Sequence, residues 1–182
     1  MRYTLFLALL LLVGCAANPE TVQSVAATES ARLAKPTRPF STFAHYELRQ
    51  MALGPAVERE EGKVEEARDL ENRMRAAIDP LLAQWAAAPS ADRSGTLVIE
   101  PRLAALKVVS GGARFWAGAW AGDSLIDIDL FVTEKESGET IANPRLKMEA
   151  DAMAGGWSIG ATDQNLLDYV ASTARQYLVD NY

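Results

Sequence analysis

The sequence predicts an α+β fold: one domain in the order β-α-β-β-β-α, with a four-stranded mixed sheet carrying two amphipathic helices on one face. Three observations predict it. Ala67, Leu70, Met74, Ile78, Leu81 and Trp85 recur at helical steps of three and four. Ile126, Ile128, Leu130 and Val132 alternate with Asp127 and Asp129, the period of a half-buried strand. Leu166, Leu167, Val170, Ala174, Tyr177 and Leu178 return to helical spacing near the C-terminus.

Taken in order, Phe40 to Leu53 reads as a first strand, with Tyr46 and Leu48 alternating against His45, Glu47 and Arg49 until Gly54-Pro55 stops it. The helix from about Lys63 to Ala87 follows, with a kink expected at Pro80. Thr96 to Val109 is apolar and β-branched but contains Pro101, which suits an edge strand or a bulge. Ser124 to Glu134 is the third strand. In the turn Glu136-Ser137-Gly138, Gly138 takes the positive-φ position that a missing Cβ permits. Pairing Lys135 with Glu139 then sets Asp129 opposite Arg145, Asp127 opposite Lys147, Ile128 opposite Leu146 and Ile126 opposite Met148. The closing helix runs from Asp163 to Asn181, behind a Thr162 or Asp163 cap.

Composition narrows the function. The 182 residues are 49% hydrophobic and 23% charged, enough for one globular domain and a tail. A formal charge of −6 without a Lys/Arg run offers nothing to a phosphate backbone, which excludes a nucleic-acid partner. One cysteine and one histidine exclude an intramolecular disulfide and an ordinary Cys/His zinc site. His45 is the sole imidazole available for nucleophilic catalysis and reads as a half-exposed strand residue. The glycines at 111–112 and 118–122 lack the ending of a P-loop. No catalytic residue, metal or cofactor is therefore expected.

The N-terminus carries an address. Arg2 supplies a cationic start, nine apolar residues run from Leu5 to Val13, and Gly14 precedes Cys15. The run is about half the roughly 20 residues a spanning helix needs. Leu12-Val13-Gly14-Cys15 resembles the lipobox of bacterial lipoproteins. That resemblance implies a signal peptide of residues 1–14, cleavage between Gly14 and Cys15, and a diacylglycerol and an N-acyl chain (palmitate or similar) on Cys15. It also implies that the lipid is the membrane anchor. With Ala16 after the cysteine, it places the protein in the outer membrane, facing the periplasm. Without residues 1–14 only Arg2 is lost from the 18 basic residues, so 17 face 24 acidic ones. Residues 15–39, rich in Ala, Ser, Thr, Glu and Pro, read as the lipidated cysteine and a flexible tether of about 25–30 Å, leaving 40–182 as the domain.

Gly111 to Ala142, a Gly-rich lead with Arg114 followed by an alternating strand and a Ser137-Gly138 turn, resembles the central hairpin of uncharacterised families of small envelope lipoproteins. Those families imply a periplasmic α+β domain and lend no reaction.

Two groups of residues could carry binding. Phe115, Trp116 and Trp120 sit among Gly and Ala, and Trp157 follows Gly155-Gly156; such aromatics anchor interfaces or cap a core. Asp127 and Asp129, with Glu149 and Asp151, could gather carboxylates around a cation. Arg145 and Lys147 opposite them make cross-strand ion pairs the simpler reading. The expectation is a non-catalytic binding or scaffold module whose partner is another envelope protein. The alternatives are a carrier holding a small apolar ligand or lipid between helices and sheet, and a carboxylate-dependent hydrolase using Asp127 and Asp129.

Overall fold

A computed structural model describes residues 19–88, 92–107, 124–149 and 163–182. The elements run α1 (Pro19–Ser30), β1 (His45–Leu48), β2 (Ala52–Leu53), α2 (Pro55–Glu58), α3 (Glu61–Ala87), β3 (Thr96–Lys107), β4 (Leu125–Glu134), β5 (Thr140–Ala142), β6 (Arg145–Glu149) and α4 (Asp163–Asp180). The predicted α+β class holds, with a mixed sheet in which β1 and β2 run parallel to β3 and the other pairs are antiparallel.

The sheet has six strands, not four. Two of the expected strands each break in the middle, so β1 and β2 share one side of β3, while β5 and β6 share one side of β4. The first break explains Pro101. It lies in a central strand, contrary to the expected edge position, because it falls between the Leu48–Ile99 and Ala52–Arg102 pairs. Lys135 N–H donates to Thr96 O, so odd residues of β3 point their N–H groups at β1 and β2. The missing donor of Pro101 therefore faces the gap. The bulge lies two residues on, between Leu103 and Ala105.

The expected β4–β6 register is found, with Ile126 on Met148, Asp127 on Lys147, Ile128 on Leu146 and Asp129 on Arg145. Its tip differs by one residue. Glu134 N–H, not Lys135, bonds to Glu139 O, and the Lys135 amide is taken by Thr96. A register shift between Val132 and Thr133 absorbs the difference. Gly138 has φ 72°, as the turn required.

α3 is a 27-residue helix that continues through Pro80. Its expected stripe is buried in full: Ala67, Leu70, Met74, Ile78, Leu81 and Trp85. Together with Leu166, Leu167, Val170, Ala174, Tyr177 and Leu178 of α4 it covers Leu97, Ile99, Leu103, Ile126, Ile128 and Leu146 in one core cluster. The apolar side chains of these helices and of the sheet meet in this one cluster.

The expected tether is not loose from Pro19 onward. α1 packs along α4, burying Ala26 and Ser30, with Ser30 Oγ donating to Asp180 Oδ2 at 2.6 Å. Thr37 N–H then bonds to Ile141 O at 2.9 Å, and Phe40 N–H to Asn181 O at 2.8 Å. Among the described residues, the folded unit therefore includes 19–39 as well as the residues from 40 onward. Residues 19–30 carry only Val22, Val25 and Ala26 at helical spacing, a stripe too thin to signal a helix without the α4 surface that receives it.

Two tyrosines, one buried and one partly buried, lock this segment. Tyr177 Oη donates to Ala34 O, and Tyr46 Oη lies within hydrogen-bond reach of Phe40 O and Phe43 O. Burial pushes both hydroxyls up to about 12. Since the native state holds these protons more tightly than the unfolded chain, their stabilisation is complete below about 10 and drains away between about 10 and 12. Urea midpoints measured from pH 8 to 12 should fall across that window, and Tyr177→Phe should flatten the fall. An equally steep fall in Tyr177→Phe and Tyr46→Phe would count against this origin.

Candidate functional site

Gly14, Cys15, Phe115, Trp116, Trp120 and Trp157 all lie outside the described residues. The structure does place the four charged residues of the hairpin, and it rearranges them. Register sets Asp127 opposite Lys147 and Asp129 opposite Arg145. The ion pair, however, is diagonal. Arg145 Nε and Nη2 donate to Asp127 Oδ1 and Oδ2 at 2.8 and 2.5 Å, while Lys147 turns along its own strand to Glu149 at 2.6 Å. A guanidinium reaches two positions and offers a fork that fits a carboxylate, which an ammonium cannot do.

The diagonal pair also corrects the expected exposure. In a half-buried strand the alternation puts Asp127 on the outer face, yet its side chain is only 7% exposed beneath an Arg145 that is 61% exposed. Asp127, and beside it Asp129, hold the Arg145 guanidinium protonated more firmly than usual. Both Asp127 oxygens are thus committed to one partner, and among the described residues no group of His, Cys, Asp and Glu is placed to hold a metal. Such a carboxylate anchors β6 to β4; it is poorly placed to shuttle protons.

The remainder of that face is a charge ladder. Lys135 Nζ meets Glu47 at 2.8 Å, Arg102 meets Glu100 at 2.6 Å, and Arg49 reaches Glu100 at 3.4 Å. The Lys135 hydrogen bond lowers the Glu47 carboxyl below its usual range, and that of Arg102 lowers Glu100. Arg102 also stacks 3.7 Å above the Phe131 ring centroid, shielding an aromatic on an otherwise polar face.

At the β6 edge the molecule forms a groove of about 230 Å³. Arg145, Leu146, Lys147 and Met148 of β6 make one wall, and Glu29, Arg32 and Leu33, at the end of α1 and just beyond, make the other. Thr173 of α4 lines it as well, 1% exposed, with an Oγ1 that has no hydrogen-bond partner among the described residues. The sequence analysis missed this place because Arg32 and Leu33 fell in the supposed tether. Arg145 and Lys147 were singled out for another reason, and nothing in the alternation of β6 marks which strand edge stays open.

No protein-family model matches this chain. No curated protein matches it either. Solved structures with a similar chain course include PelC from Paraburkholderia phytofirmans, a dodecamer. A variant of it aligns with 8% identity over 79% of this chain and 93% of that one at a TM-score of 0.46. The PelC dodecamer in another crystal form shares 10% identity over 81% and 95% at 0.43. A candidate lipoprotein from Caulobacter crescentus CB15 shares 14% identity over 88% and 91% at 0.36. Among the described residues no helix is long and apolar enough to cross a membrane.

Proposed function

We propose that this chain is a lipid-anchored protein of the bacterial cell envelope that acts as a non-catalytic binding module. The observation that carries the reading is the position of Cys15, the sole cysteine, directly behind a nine-residue apolar run and a small Gly14. Three acyl chains there exceed the two signals that stable anchoring needs, so no protein surface is spent on membrane contact. Ala16 favours the outer membrane by its likeness to lipoproteins sorted there. The commitment of Asp127 to Arg145 supports binding over hydrolysis.

In this reading α1, packed on α4, is the described part of the fold nearest the anchor in sequence, and four residues of fully extended chain would put Pro19 within about 14 Å of Cys15.

Expression in a Gram-negative host with a clickable palmitate analogue tests this. The wild type should carry the label and sediment with outer-membrane vesicles, and Cys15→Ser should lose both properties. Label surviving in Cys15→Ser, or an unlabelled soluble wild type, sinks the reading.

A further inference from the structure

We propose that the open edge of β6 receives an extended acidic peptide segment of a partner protein as an added strand, which gives the binding-module reading above a partner chemistry and rests on it. Leu130 N–H bonds to Pro144 O within the register that pairs Ile128 with Leu146 and Ile126 with Met148. By the alternation of an antiparallel ladder, Leu146 and Met148 turn their backbone groups to β4, while Arg145, Lys147 and Glu149 turn theirs outward. Among the described residues β6 pairs with β4 alone, so these outward groups are a ready template for another strand.

The chain already uses the neighbouring stretch of this edge. Thr37 donates from N–H, at 2.9 Å, and from Oγ1, at 3.3 Å, to Ile141 O of β5. At β6 the same strip opens into the groove, whose volume of about 230 Å³ falls below the roughly 300–1,000 Å³ typical of pockets for drug-sized molecules. A single strand fits such a slot better than a globular ligand does.

Charge and the orphan hydroxyl define the occupant. Arg145 and Lys147 stand on the solvent face of β6 and Arg32 on the facing wall, with side chains 61, 53 and 69% exposed. Their present partners are Asp127, Glu149 and Glu29, and each cation has N–H donors to spare. Side chains of an added strand would alternate, one set meeting these cations and the other meeting Leu33, Leu146 and the buried Thr173 hydroxyl. Carboxylates alternating with small apolar or polar residues satisfy both. Two-fold pairing of β6 with a second copy would set Lys147 against Lys147, a like-charge contact that an acidic strand avoids.

Amide exchange by NMR on the purified full chain tests the proposal, with an acetylated octapeptide of alternating Glu and Val as probe. In the free protein the amides of Arg145, Lys147 and Glu149 should exchange at least about tenfold faster than those of Leu146 and Met148. The probe should slow them by a similar factor and shift the Thr173 resonance. Lys147→Pro removes only an outward N–H and should abolish the slowing with little change in melting temperature; Lys147→Glu, which spares the backbone, should weaken it. Slow outward amides in the free chain would overturn the proposal. So would equal protection of both variants, no response to millimolar probe, or the same shifts from free glutamate, which would mark a small-anion site. Because the readout needs no membrane, a failure of lipidation at Cys15 would leave this result standing.

Discussion

Tyr177→Ala should lower the unfolding free energy by about 3–5 kcal/mol, the range for emptying a fully buried aromatic position. Tyr177 is 0% exposed, packs edge-to-face on Phe40 at 6.1 Å between ring centroids, and reaches Ala34 O with its hydroxyl. It is the joint through which α4 holds the chain between α1 and β1. Tyr177→Phe keeps the ring and leaves the Ala34 carbonyl short of a donor, so its cost should be about 1 kcal/mol. Urea denaturation followed by far-UV circular dichroism gives both numbers. A cost below about 1 kcal/mol for the alanine variant would mean that residues 19–40 are loosely attached after all.

Trp85→Ala should cost a similar amount, about 3–5 kcal/mol, through a neighbouring cluster that Tyr46 links to Phe40. Trp85 is 5% exposed on the last turns of α3, stacks on Tyr182 at 4.2 Å and 17°, and contacts Tyr46 at 5.4 Å. Arg93 binds the cluster from outside, donating to Trp85 O at 3.2 Å and to Tyr182 Oη at 2.6 Å. The loss therefore reaches three places at once: the end of α3, β1 and the C-terminus. Removing Tyr182 alone should cost less, because Trp85 keeps Tyr46. If deleting Tyr182 cost as much as Trp85→Ala, the stack rather than the buried indole would be the source of the stability.

Much of the fold was legible in the residues themselves. The stripe of α3, the six apolar positions of α4, the alternation of β4 and the Gly138 turn are local patterns with fixed periods, and each emerged where the periods put it. Even the β4–β6 register could be derived, since a slip by one residue would have carried Asp127 and Asp129 to the helix side of the sheet.

The misses share a cause, which is that they depend on surfaces distant in sequence. α1 is helical because α4 lies some 150 residues away to receive it. Pro101 is tolerated in a central strand because β1 and β2 part opposite it. Arg145 prefers Asp127 to the Asp129 directly across because of side-chain reach, a matter of angstroms that pairing rules do not resolve. Periodicity decides which residues face inward, since burial acts on each side chain by its own chemistry. Which edge stays open, and which buried hydroxyl is left without a partner, is decided only when separate segments meet and compete for the same donors and acceptors. The groove at β6 belongs to that second class.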